Sequence, residues 1–224
     1  MSAFGGTLNP GYAPIPTRKF GNPAPLGLCA FGLTTFVLCM ANVRVRGVSN
    51  PSTFIGLGYF YGGFIQLLAG MWEMAVENTF GATALSSFGG FWLSFAAIET
   101  DAFGIVSAYG DDIHGLNTML GIYLMGWFIF TFILVLCTLR STVAFFLLFF
   151  TLDLAFMFLG IGKFYPDKTA ITIVGGVFGL MSAFFAFYNA FAGLANNENS
   201  LFVIKPIPMP WNPVLKASRK NKST

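Results

Sequence analysis

Six long apolar stretches run along the chain, separated by polar or Gly/Pro breaks. The first extends from Leu26 to Val43 and is closed by Arg44 and Arg46. The second, Phe54 to Val76, is entered after Asn50-Pro51-Ser52. The third, Phe80 to Ile98, is the weakest, because Ser86, Ser87, Gly89, Gly90 and Ser94 interrupt it. An acidic loop follows, with Glu99, Asp101, Asp111, Asp112 and the lone His114. The fourth stretch is Leu116 to Leu139, the fifth Val143 to Ile161 and the sixth Ala170 to Ala195. A bilayer-spanning helix needs roughly 20 mostly apolar residues, and each stretch is near that length. None alternates as a membrane β-strand would, and an open sheet in lipid would leave its edge amides unsatisfied. The pattern predicts an all-α integral membrane fold: a six-helix bundle over residues 23–195, with tails at 1–22 and 196–224.

Composition agrees. Of 224 residues, 55% are hydrophobic and 9% are charged, against about 25% charged in soluble domains. Mean hydropathy is +0.71. Six helices and short loops nearly fill the length, which leaves no room for a soluble catalytic domain. The net charge of +3 sits mostly in the tails and gives no support for nucleic-acid binding. Cys29, Cys39 and Cys137 all lie in apolar segments. An odd count without CxxC spacing argues against a disulfide framework or zinc site, so they are read as small hydrophobes. Residues Met1 to Asn22 are Gly- and Pro-rich without an apolar core. They do not form a signal peptide, and the first helix is expected to act as its own insertion signal.

Orientation follows from Lys and Arg near the helix ends. One side collects Arg18, Lys19, Arg140, Lys205, Lys216, Arg219, Lys220 and Lys222; the other holds Arg44, Arg46, Lys163 and Lys168. The excess places both termini in the cytosol. The glycosylation acceptor Asn221-Lys222-Ser223 is discounted on that ground.

The chain has one histidine and no HExxH, GxSxG or CxxC motif. An enzyme is therefore not expected, and no cofactor or metal is implied. Polar groups inside the spans are more informative, since they are costly in lipid and tend to face a pore or a partner. Gln66, in the middle of helix two, fits either an interhelical hydrogen bond or a pore wall. Asp153, near the middle of helix five, fits either a helix–helix contact or a proton carrier. Glu73 and Glu77 end helix two. Asn22-Pro23-Ala24-Pro25 opens helix one, where proline is tolerated. The free amides there either form a plain cap or attract a carboxylate. Gly58/Gly62 and Gly175/Gly179 are spaced GxxxG, which permits close helix approach. Aromatics make up 17% of residues, 28 of them Phe. Phe88 sits among small residues, as a ring of a hydrophobic gate would.

The run Asn22 to Leu28 reads NPAPLGL and resembles the signature of the acetate uptake transporter family. That family includes bacterial succinate–acetate permeases and the fungal ammonia/acetate transport outward proteins. The resemblance continues through Phe60-Tyr61-Gly62-Gly63, Gln66, Ala69-Gly70, Glu73, Asn78-Thr79-Phe80-Gly81 and Phe91-Trp92-Leu93. It is looser over helices four to six, at Gly121, Tyr123, Gly126-Trp127, Phe130-Thr131 and Thr138-Leu139. The segment from Met71 to Phe80 looks more fungal than bacterial. The resemblance implies a six-helix protomer with its own pore, assembled as a homo-hexamer in plasma-membrane lipid. It implies transport of acetate and sometimes succinate or other short carboxylates. The family's mid-pore constriction falls on Phe31, Phe88 and Leu152, with Phe88 where bacterial members commonly carry Tyr. The substrate path is expected to take in Asn22, Tyr61, Gln66, Glu73 and Thr151. Asp153, beside the gate leucine, stands apart from the pattern and is the candidate for coupling protons. The rival readings are an ammonium exporter and an acetate-sensing regulator.

Overall fold

The computed structural model describes residues 20–212 except 49 and 205. Most charges that set the expected orientation (Arg18, Lys19, Lys205, Lys216, Arg219, Lys220 and Lys222) lie outside the described residues. Six helices are long and apolar enough to cross a membrane: α1 Ala24–Asn42, α2 Phe54–Ala75, α3 Thr79–Ile98, α4 Ile113–Thr138, α5 Val143–Phe164 and α6 Thr169–Leu194.

Side-chain caps explain several starts. The Gly81 amide donates to Asn78 Oδ1 at 3.0 Å at the head of α3, and the Gly115 amide donates to Asp112 Oδ1 at 2.8 Å at the head of α4. The Asp112 cap corrects one expectation. By satisfying an end amide, it lets α4 begin three residues before Leu116, so His114 lies in the first turn of the helix and not in the loop. Likewise α5 runs on past Ile161 to Phe164 and takes Lys163 into its last turn. Between α2 and α3, Glu77 adopts a left-handed conformation (φ 65°). The Asn78 amide then donates back to the Glu73 carbonyl at 2.9 Å, closing the turn.

Helix α2 is not uniform. Phe60–Ile65 is π-helical, between α-helical Phe54–Tyr59 and Gln66–Ala75. Gly62 and Gly63, poor helix formers, lie within it. A π turn holds one extra residue, and at 3.6 residues per α-turn each residue is about 100°. The face that follows is therefore turned relative to the face before. This splits the GxxxG pair. A Cβ at Gly58 would touch Ala96 of α3 at 3.0 Å, whereas one at Gly62 would strike Thr34 Oγ1 of α1 at 2.7 Å. The pair joins two different neighbours instead of forming one seam.

The helices close a ring. α2 packs on α1 and α3, α6 on α1 and α5, and α4 on α5. Between α3 and α4 the backbones stay farther apart, and large side chains bridge the gap. Phe91 meets Trp127 with ring centroids 5.2 Å apart, and Ser94 Oγ and Tyr123 OH share a 2.7 Å hydrogen bond. The inner faces of α1, α3 and α5 therefore surround a common axis.

After α6 the chain returns as a strap across the α4–α5 connection. The Val143 amide donates to the Ile207 carbonyl at 2.8 Å, and the Met209 amide to the Ser141 carbonyl at 3.0 Å. Trp211 Nε1 donates to the Leu139 carbonyl, and Asn212 Nδ2 to the Arg140 carbonyl at 2.7 Å. A hydrogen bond of this kind contributes about 1 kcal/mol net. Trp211→Ala is accordingly expected to lower the thermal unfolding midpoint in detergent by a few degrees while leaving transport intact. An unchanged midpoint would show that the strap does not hold the connection.

Candidate pore and its constriction

Helical periodicity places Leu28, Phe31, Thr35, Leu38 and Asn42 along one face of α1. All but Asn42 are buried, and Asn42 is half-exposed. On α3 and α5 the equivalent rows run from Leu85 and Phe88 to Phe95, and from Leu148 and Leu152 to Leu159. At mid-height Phe31, Phe88 and Leu152 come together with Gln66 around a cavity of about 20 Å³. All three expected constriction residues are buried, and the Phe31 and Phe88 rings lie 5.9 Å apart. A space this size holds about one water. The passage is shut to anything larger without side-chain movement.

Beyond the constriction the axis widens. A vestibule of about 410 Å³ is walled by Leu38, Phe91, Phe95, Leu124 and Phe156, and rimmed by Asn42, Glu99, Asn117 and Lys163. It opens on the side that carries the α1–α2, α3–α4 and α5–α6 connections. Apolar walls with a mixed polar rim suit a small solute that sheds water as it descends.

Gln66 is the feature that residue types alone leave ambiguous. Its side chain is fully buried, and neither Oε1 nor Nε2 has a protein hydrogen-bond partner. Each unmade bond of a buried polar group costs about 1–3 kcal/mol. An interhelical hydrogen bond, the structural reading open for it, is thus not made; Gln66 is instead one of the residues around the constriction cavity. Two glycines put it there. At Gly70 an added Cβ would come within 3.0 Å of the Ser86 Cα, and at Gly89 within 2.9 Å of the Leu67 Cα. These reciprocal notches seat α2 against α3 backbone to backbone, one turn past Gln66 and one residue past Phe88.

The other expected path residues are scattered. Asn22 is exposed at the foot of α1, where its Oδ1 accepts from the Ala24 amide at 3.1 Å. It caps its own helix, away from the constriction. Tyr61 is half-exposed in the π-helical segment. Thr151 is buried, but its hydroxyl turns back to donate to the Leu147 carbonyl at 2.7 Å. Glu73 is buried two turns below Gln66; Asn78 Nδ2 donates to its Oε2 at 2.6 Å, and Oε1 is unpartnered. Asp153 is buried beside Leu152, but it does not line the cavity, and its Oδ1 has no partner. Two groups escaped the reading of the sequence: Thr35 Oγ1, one turn from Phe31, and Trp92 Nε1 are also buried without partners. Only orphaned hydrogen-bonding capacity marks them, and residue type does not report that. Among the described residues no cluster of His, Cys, Asp or Glu could hold a metal ion.

Known proteins share this architecture. The model of the GPR1/FUN34/yaaH family matches residues 4–211. Acetate permease A of Emericella nidulans is 53% identical over 231 residues, which cover 98% of this chain and 77% of that protein. Ammonia transport outward protein 2 of Saccharomyces cerevisiae is 54% identical over 212 residues, covering 95% of this chain and 75% of its own. The solved structure of the bacterial acetate channel SatP matches with a TM-score of 0.73 at 34% identity, over 84% of this chain and 99% of that one. The ring of six spanning helices is that of a multi-pass membrane protein, and transporters and channels, not enzymes, are its relatives. The chain belongs to the GPR1/FUN34/yaaH family, the acetate uptake transporters whose signature its first helix resembles.

Proposed function

We propose that this protein carries acetate and related short carboxylates, succinate among the candidates, across the plasma membrane together with protons. Both termini face the cytosol and the vestibule faces outward. Six copies assemble, each with its own pore through Phe31, Phe88 and Leu152. The observation that carries the reading is the apolar constriction, bordered by one residue with a polar side chain, beneath an open vestibule. Kinship with proteins named acetate permease and acetate channel supports the substrate class.

Proton coupling has a physical motive. A carboxylic acid of pKa about 4–5 is an anion at neutral pH. A potential negative inside opposes its entry by about 2.3 kcal/mol per charge per 100 mV. Moving a proton with each carboxylate removes that opposition. Asp153, an unpartnered carboxyl one residue from the gate leucine, is the protein group suited to load the proton. Asp153→Asn is therefore expected to lose uptake at about pH 7 while retaining it near pH 5, where a far larger fraction of the bulk acid is already protonated. A variant with the wild-type pH profile would remove Asp153 from the route.

The direct test is uptake of radiolabelled acetate into proteoliposomes with and without an inward proton gradient. Gradient-stimulated uptake is the expected result. Uptake no faster than in empty vesicles would favour the second reading, ammonia export, which the ammonia transport relative suggests. Ammonium-driven changes in internal pH would then follow the protein. Binding of acetate without flux would instead identify a sensor.

A further inference from the structure

Of the nine residues around the constriction cavity, only Gln66 has a polar side chain. Its Oε1 and Nε2 are both buried and both unpartnered. A primary amide offers an N–H donor beside a C=O acceptor. A protonated carboxyl group offers the same pair, O–H beside C=O. The two match edge to edge in a ring of two hydrogen bonds, and both orphaned Gln66 atoms are satisfied at once. A carboxylate has acceptors only. It would pair with Nε2, leave Oε1 facing a negative oxygen, and find no cation in the cavity wall to balance its charge. The wall is otherwise Leu, Phe and Ala.

We propose that Gln66 is the docking group for the uncharged carboxylic acid, and that the constriction passes the acid and not the anion. This rests on the carboxylate-transport reading. The titratable groups on the helices around Gln66 are Cys29 and Cys39 on α1, Tyr59, Tyr61 and Glu73 on α2, and Asp153 and Lys163 on α5; α3 carries none. None of them lines the cavity. The species that meets Gln66 therefore carries its own proton, whichever group loaded it. Any small neutral solute with the same donor–acceptor edge, acetamide being the simplest, is a ligand for the same group.

The test uses purified full-length protein in proteoliposomes, with the membrane potential clamped by potassium and valinomycin and the pH equal on both sides. Acetate uptake is expected to be the same at 0 and at 100 mV, inside negative, and acetamide is expected to compete with it. Gln66→Leu should lower uptake at sub-saturating acetate at least tenfold and remove the competition by acetamide. If that variant fails to fold, the wild-type measurements still decide. Wild-type uptake that slows with potential as a single negative charge demands, or that ignores acetamide, overturns the proposal while leaving carboxylate transport standing. No wild-type uptake above empty vesicles overturns the carboxylate reading itself, and this inference with it.

Discussion

Truncating Phe88 to alanine is expected to abolish the discrimination of the pore between acetate and bulkier carboxylates. Phe88 is the hub of the constriction. Its ring lies 5.9 Å from Phe31, 5.9 Å from Trp127, 5.6 Å from Phe130 and 6.2 Å from Phe156, on which it stacks. It thus joins α1, α3, α4 and α5 across the axis. Removing the ring is expected to join its volume to the 20 Å³ cavity and to let water in at the constriction. Apolar constrictions gate by excluding water, and that exclusion would end. Uptake of a bulkier carboxylate such as lactate, relative to acetate, should rise at least tenfold, about 1.4 kcal/mol of lost discrimination at the gate. Phe→Ala changes in packed interiors also cost about 3–5 kcal/mol, so the unfolding temperature in detergent should fall. Paired uptake of labelled lactate and acetate checks the selectivity. An unchanged ratio would place the filter elsewhere. Phe88→Tyr should preserve the packing and the selectivity, because it keeps the ring.

Gly70→Val should have the largest effect on assembly of the fold. The Cβ of any residue at 70 would press on the Ser86 backbone, with the Ser86 Cα 3.0 Å away. A flexible side chain can swing aside, but a helix backbone cannot. The only relief is separation of α2 from α3, which would pull Gln66 away from Phe88. Overpacking in a tight interior costs about 1–3 kcal/mol, occasionally more, and a backbone clash belongs at the upper end. The expected result is loss of monodisperse protein, or a lowered unfolding midpoint with acetate uptake near the background of empty vesicles. A well-folded and fully active Gly70→Val would show that the α2–α3 approach is softer than these distances imply.

Much of the fold is legible along the chain because lipid imposes a simple rule. A span must be apolar and must satisfy its own backbone, so the six stretches appear as runs of residue type. The boundaries shifted where a capping side chain acted. Asp112 drew His114 into α4, and the first turn of a helix tolerates polar residues that a hydropathy reading assigns to a loop. That Phe31, Phe88 and Leu152 belong together was legible as a set only through resemblance to a family, and the structure brings the three around one cavity. The small neighbours Ser86, Ser87, Gly89 and Gly90 single out Phe88 in the local pattern, but nothing local marks Phe31 or Leu152 as its partners. The polar path was the least legible part. Asn22, Thr151 and Gln66 are all hydrogen-bonding residues near apolar runs. The structure shows that Asn22 and Thr151 spend that capacity on their own helices, whereas Gln66 does not.

The sequence by itself determined the class of the protein, the number of its spans and its family, because these depend on local hydropathy and on motifs contiguous in the chain. Tertiary structure decided which side chains share the axis. Phe31, Gln66, Phe88 and Leu152 come from four different helices, and their meeting depends on the phase of each helix and the distance between backbones. The π-helical turn at Phe60–Ile65 sets the phase of Gln66, and the notches at Gly70 and Gly89 set the distance to α3. A turn with one extra residue and a glycine that faces a backbone leave no mark on hydropathy. Their effect exists only once the helices are packed.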